Sequence, residues 1–315
     1  MKHILILCLT AWAIGAAPAS AFEAATADAA QAARCNEFPE AGFQNFCLSG
    51  YEVAALRLPS TASAFGTFSG TGSMAIYKPD GAGPFPAIVL LHTCGAISPD
   101  QTRYWVKSTI AKGYVAFILD SWSQRNLPNG TCDIVKPGFN TTSVRLRDAY
   151  DALARLEEIP SVDVDHVAAV GFSHGARMAY MLANAGTAKM FSTSGRHFTA
   201  AVAVYGECYN RPTKFAYLRP PVDIPLLALL GDNDADGDVT QCQPRLEAIK
   251  AAGAPVEWHI FPGVGHAWDQ PNFSSAVMRP YPGSPTGTVL YKYDPRVTDE
   301  SRDRAFAFLS PLLKK

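Results

Sequence analysis

The sequence has no run of basic residues, no internal repeat and no composition break of the kind that separates two domains. The missing basic run removes the electrostatic footprint of a nucleic-acid site. Lys and Arg number 27 against 28 Asp and Glu, so charge of neither sign dominates. The lack of a linker or repeat leaves one large domain, a size at which about three quarters of the unfolded surface is buried. Beyond the N-terminal segment no apolar stretch approaches the roughly 20 residues that cross a bilayer. That segment has Lys2, an apolar run over residues 4–15 and a small-x-small triplet, Ala19-Ser20-Ala21. The layout is that of a secretory signal peptide cleaved after Ala21, and its apolar run is too short for a membrane anchor. The expected division is a signal peptide over 1–21, an N-terminal extension over 22–50 with a mobile start and a stapled loop, and a folded domain over 51–315. The expected location is secreted or periplasmic.

Cysteine is scarce, seven in all. Cys8 lies in the signal segment, which leaves Cys35, Cys47, Cys94, Cys132, Cys208 and Cys242. An even number in an exported chain points to disulfides, and six cysteines allow 15 pairings. The expected set is Cys35–Cys47, the nearest pair in sequence, with Cys94–Cys132 and Cys208–Cys242 each tying loops at strand ends.

From Tyr51 onward, short apolar runs alternate with segments of helical spacing. Strands are expected over 73–77, 87–92, 114–119, 167–171, 200–205, 225–230 and 256–261. Helices are expected over 101–112, 142–158, 174–185, 241–252 and 301–313. Continuous apolar strands alternating with helices predict an α/β fold, a mostly parallel central sheet with helices on both faces. In such sheets the site lies beyond the carboxyl ends of the strands.

Gly171-Phe172-Ser173-His174-Gly175 follows one expected strand and opens a helix. This is the G-x-S-x-G nucleophile elbow in its strand–turn–helix setting, and it makes Ser173 the candidate nucleophile. A serine needs a base. His266, in the glycine-rich loop Gly263-Val264-Gly265-His266 after the strand at 256–261, holds the position for one. The base needs a carboxylate to orient it. Gly231-Asp232-Asn233-Asp234-Ala235-Asp236-Gly237-Asp238 supplies four, of which Asp234 is preferred and Asp232 and Asp236 stay open. The order along the chain, serine then acid then histidine, is that of the α/β-hydrolase fold. The same Asp-x-Asp-x-Asp-Gly stretch resembles the start of a Ca²⁺ loop, yet Gln243 stands where a bidentate Glu is needed. For the oxyanion, the fold uses the residue after the nucleophile and the loop after the strand at 87–92; the expected donors are the backbone N–H groups of His174 and Cys94. His92 is expected to shape that loop through a hydrogen bond.

Together these pieces resemble the dienelactone hydrolase family of α/β hydrolases. The residues that carry the likeness are His92-Thr93-Cys94-Gly95, Asp120-Ser121 with Arg125, Arg147-Asp148, Gly171 to Gly175, Gly231 with Asp234, and Pro262 to His266. The resemblance implies an α/β-hydrolase fold and a triad of Ser173, Asp234 and His266. The name-giving enzymes use a cysteine nucleophile, so Ser173 turns the expectation toward ordinary ester hydrolysis. Thr93 replaces the usual glycine of the oxyanion loop and is stiffer. Arg125 is a candidate donor to a substrate carboxylate or a salt-bridge partner, and Trp122, Tyr205 and Trp268 are candidate pocket walls. No cofactor, metal or nucleic acid is called for; the expected partner is a small-molecule ester. Two other readings share the sequence: a non-catalytic or Ca²⁺-binding protein on the same scaffold, and an acyltransferase. Substrate and oligomeric state are not legible.

Overall fold

A computed structural model describes residues 25–38, 41–67, 73–132, 141–281 and 283–314. The expected signal peptide lies outside the described residues. In chain order the elements are α1 (Ala29–Asn36), α2 (Ala41–Ser49), β1 (Ser63–Ala64), β2 (Ala75–Lys78), β3 (Phe85–Leu91), α3 (Pro99–Ala111) and β4 (Val115–Leu119). There follow α4 (Thr141–Glu157), β5 (Val162–Phe172), α5 (His174–Leu182), α6 (Ala185–Phe191), β6 (Ala200–Val204), β7 (Tyr209–Asn210) and β8 (Phe215–Ala216). The chain ends with β9 (Leu226–Gly231), α7 (Val239–Ala251), β10 (Val256–Phe261), β11 (Val277–Pro280), β12 (Thr288–Tyr291) and α8 (Pro295–Leu313).

Eight strands form one sheet in the order β1-β2-β4-β3-β5-β6-β9-β10. β2 runs antiparallel to β4 and pairs in parallel with β1, while the other six strands are mutually parallel. Side chains alternate across a strand, and β3 shows the result. Ala87, Val89 and Leu91 enter one core with Leu146, Ala149 and Leu153 of α4, Met178 of α5 and Leu246 of α7. Ile88 and Leu90 enter the other core, with Trp105 and Val106 of α3 and Val297, Phe306 and Leu309 of α8. Burying each such Leu, Val or Phe stabilises the fold by about 1.5–3 kcal/mol. The registers Leu91↔Gly171, Phe172↔Val204, Val204↔Leu229 and Gly231↔Phe261 bring the carboxyl ends of five strands to one rim.

Three stretches differ from the sequence expectation. The stapled loop over 22–50 is a helical pair: Asp28 and Gln31 cap α1 reciprocally over an Ala-rich turn. The pair docks through Phe46 against Phe191, and Tyr51 beside it donates to the carbonyl of Met190 at 3.0 Å. The helix expected over 174–185 breaks at Asn184, whose side chain accepts from Gly186 N and starts α6. The hairpin β11–β12 carried no expectation at all.

The cysteine pairs Cys35–Cys47, Cys94–Cys132 and Cys208–Cys242 all stand at bonding distance, with S–S separations of 2.05, 2.10 and 2.05 Å. Three such bridges suit an oxidising compartment. Among the described residues no helix is long and apolar enough to cross a membrane.

Candidate active site

Ser173 ends β5 and caps α5 with φ 53° and ψ −114°, a conformation a non-glycine residue holds only under surrounding constraint. The two elbow glycines supply room for that turn. A Cβ on Gly171 would lie 2.0 Å from the carbonyl oxygen of Gly175, and one on Gly175 would lie 2.0 Å from that of Leu91. The sharp turn lifts the hydroxyl above the sheet at the N-terminus of a buried helix.

His266 Nε2 lies 2.9 Å from Ser173 Oγ, and His266 Nδ1 lies 2.8 Å from Asp234 Oδ2. The Asp234 contact places the ring proton on Nδ1 and leaves Nε2 as acceptor for the serine hydroxyl. All three side chains are nearly inaccessible to solvent. Burial, the largest influence, lowers the imidazole pKa; Asp234, by charge and hydrogen bond, and Asp236 outweigh it, so the net shift is upward. The histidine loop is itself held from outside the sheet. His266 N donates to Leu290 O at 2.6 Å, and Lys292 N donates to His266 O at 3.1 Å. Tyr205 and Tyr291 stand edge-on to the imidazole, with centroids at 5.0 and 4.9 Å.

The four carboxylates of the acid loop diverge. Asp232 accepts from Gly263 N, Asp234 faces His266, Asp236 pairs with Arg177 at 3.2 Å, and Asp238 caps α7 and pairs with Arg211. Among the described residues no group of three His, Cys, Asp or Glu side chains gathers as metal ligands would.

The oxyanion loop is shaped by His92. Ser121 N donates to His92 Nε2 at 3.2 Å, so Nδ1 carries the hydrogen and donates to Thr93 O at 2.6 Å. That bond fixes the Thr93–Cys94 peptide, whose N–H is the expected donor. Neither Cys94 N nor His174 N donates to a described group. Beneath the loop, Arg145 donates to His92 O and to His174 Nδ1, both at 2.6 Å. Burial, followed by the charge of Arg145, pulls His92 down to about 3 and His174 well below its usual value; both imidazoles stay neutral. Cys132 bonds to Cys94, and Thr131 N donates to Cys94 O at 2.7 Å, which anchors the loop from its solvent side.

Ser173 and His266 open into a cavity of about 220 Å³, walled by Thr93, Cys94, Cys132, Gln270, Asn272, Phe273, Arg279 and Tyr291 among others. The four candidates named for its walls do not line it, and Arg125 takes the salt-bridge alternative. Arg125 is buried in a two-pronged pair with Asp148, at 2.7 and 2.8 Å, and also donates to Ser121 O and Ala54 O. Trp122 is buried beside His92 and below Arg145. Tyr205 donates to Asp269 at 2.5 Å, and Trp268 donates to Ser301 at 3.1 Å. Each belongs to the support of the site: Arg125, Tyr205 and Trp268 direct polar atoms to partners inside the protein, and Trp122 packs between His92 and Arg145. Sequence reasoning missed Asp269, which accepts from Gln101, Trp105 and Tyr205 three residues past His266. It also missed Arg279, which lies over the rings of Phe273 and Tyr291 at 5.0 and 4.9 Å. No local motif marks either residue; both acquire a role only through distant partners.

Comparison with known proteins follows the same outline. A family model described as the dienelactone hydrolase family matches residues 73–312. The chain is 23% identical over 208 residues to a putative carboxymethylenebutenolidase of Escherichia coli K12, covering 62% of this chain and 72% of that protein. It is 32% identical over 141 residues to esterase FrsA of Escherichia fergusonii, covering 42% of this chain. The chain spans only 31% of the length of that relative. Among solved structures, a putative dienelactone hydrolase from Klebsiella pneumoniae aligns with a TM-score of 0.54 at 18% identity, over 75% of this chain and 92% of that one. Esterase 2 of Thermogutta terrifontis aligns with a TM-score of 0.53 at 18% identity, over 76% and 86%. At such identities the structural likeness concerns the fold, that of the α/β hydrolases.

Proposed function

The chain belongs to the dienelactone hydrolase family of ester hydrolases, and on that premise we propose that it is an exported serine esterase working through an acyl-enzyme on Ser173. Family membership makes it a carboxylic-ester hydrolase; the nucleophile, the steps and the location are the finer reading. The observation that carries it is the unbroken hydrogen-bond chain Asp234–His266–Ser173, at 2.8 and 2.9 Å. His266 Nε2 takes the Ser173 proton as Oγ attacks the ester carbonyl. The N–H groups of His174 and Cys94 receive the oxyanion, each worth about 2.7–4 kcal/mol where such a donor has been removed. His266 then returns the proton to the leaving alkoxide. Water, deprotonated by the same imidazole, clears the acyl group, and Asp234 stabilises the imidazolium throughout. Three disulfides and the N-terminal sequence pattern support export. Ser173→Ala should lower kcat at least about a thousandfold and abolish labelling by a fluorophosphonate. Labelling elsewhere, or full activity in that variant, overturns the reading. Transfer to added alcohols in place of water would mark an acyltransferase.

One feature narrows the ester. Arg279 lines the cavity, lies over the rings of Phe273 and Tyr291, and has no carboxylate partner among the described residues. An anionic substituent on the substrate would meet this guanidinium as a charge-assisted partner. Arg279→Ala should raise KM about tenfold or more for a carboxylate-bearing ester and leave a neutral ester of equal length nearly unchanged. Equal losses on both esters would remove this refinement.

A further inference from the structure

A second carboxylate stands close to the catalytic imidazole. Asp236 Oδ2 is 3.7 Å from His266 Nε2, the nitrogen that faces Ser173. Asp234 holds the opposite nitrogen, Nδ1. A free carboxylate at Nε2 would compete with the serine hydroxyl for that edge of the ring and would hold the imidazolium once formed. Asp236 is not free. Arg177, one turn along α5 from Ser173, meets Asp236 at 3.2 Å and Glu207 at 3.1 Å through the same Nη2. Tyr281 OH lies 3.4 Å from that nitrogen and donates to Glu207 at 3.0 Å. Asp236 N donates to Asp234 Oδ1 at 2.9 Å, so the backbone that places the triad acid also places this second acid.

We propose that Arg177 is a positioning residue that restrains Asp236, keeping the Nε2 edge of His266 directed at Ser173. The proposal rests on His266 being the base of a serine hydrolase. Other charged or titratable groups surround this pair: Asp234, Tyr205 and Tyr291 face the ring, Tyr281 meets Asp236 and Arg177, and Arg279 lines the same cavity. None of these holds Asp236 as an ion-pair partner. The charges act in the required directions, for Asp236 raises the imidazole pKa and Arg177 lowers it. Removal of Arg177 alone leaves two carboxylates unopposed around one imidazole. Removal of Asp236 leaves Asp234 as sole partner.

The test is the pH profile of kcat/KM in single and double variants. Arg177→Met should move the acid limb to higher pH and cut kcat/KM at pH 7 about tenfold or more. Adding Asp236→Asn to it should bring the limb back and recover most of the rate. Because Arg177 is half-buried and also pairs with Glu207, each variant is checked by far-UV circular dichroism and by fluorophosphonate labelling of Ser173. Asp236→Asn alone, nearly isosteric, covers the case in which Arg177→Met does not fold; its acid limb should fall below that of the parent. An unmoved limb in Asp236→Asn, or a double variant no better than Arg177→Met, overturns the proposal. Failure of Ser173 labelling in the parent protein would instead strike the serine-hydrolase reading beneath it.

Discussion

At the scale of single residues, the imidazoles around the site are sorted by their partners. His266 faces two carboxylates and is pulled upward; His92 and His174 face Arg145 and are pushed down. A base whose pKa lies above 6.5 in the free enzyme is lost as pH falls through that raised value. The acid limb of kcat/KM should therefore lie above pH 6.5 and vanish from the profile when His266 is replaced, while His92 contributes no limb in that range. His92 matters by geometry. With His92→Ala, the Thr93–Cys94 peptide loses the donor that fixes it, and kcat should fall about tenfold to a hundredfold with KM little changed, as expected for a misplaced oxyanion donor. Steady-state kinetics on one ester decides this. Ser173 and His266 were legible because each sits in a short contiguous motif with a strand before it. The choice of Asp234 over Asp232 and Asp236 was only a preference, since spacing does not tell where a tight loop aims each carboxylate. The pairing of Arg177 with Asp236 joins positions 59 apart, and nothing in the sequence announces it.

At the scale of elements, the buried strands β3, β4, β5, β6 and β9 were legible as apolar runs and the half-buried edge strand β10 as a mixed one, and their order relative to helices gave the parallel sheet. Elements set by caps or by tertiary contact were not. α1 needs Asp28 and Gln31 to close its first turn, and β11–β12 is stabilised by docking on the histidine loop. The oxyanion loop has its own anchor, and it differs in exposure from the other bridges. Cys35, Cys47, Cys208 and Cys242 are fully buried, whereas Cys94 is half-buried and Cys132 exposed. A mild dithiol reductant should therefore open Cys94–Cys132 first. We predict a fall in kcat with unchanged far-UV circular dichroism, restored on reoxidation, and the same loss in Cys94→Ala/Cys132→Ala. Unchanged kcat after mass spectrometry confirms selective reduction would refute it.

At the scale of the whole molecule, two cores on opposite faces of one sheet hold the rim rigid, and the N-terminal helices close one face. Their staple encloses a short loop: Cys35 and Cys47 are separated by 12 positions. The double variant Cys35→Ala/Cys47→Ala should lose about 3 kcal/mol of unfolding free energy, the chain-entropy value for a loop near this size. Because the bridge touches none of the triad, kcat at 25 °C should survive. Urea unfolding monitored by tryptophan fluorescence, set beside esterase assays, separates the two effects.

The hairpin that brings Arg279 to the cavity also grips the backbone on both sides of His266, through Leu290 and Lys292. Any selectivity conferred through Arg279 would thus share one piece of chain with the support of the imidazole. Libraries randomised at the tip of this hairpin would be expected to trade speed for new preferences, since each shift of the ribbon is relayed to the imidazole. Diversity introduced at Asn272 and Gln270, on the neighbouring wall, offers a way to retune the entrance while the ribbon stays fixed.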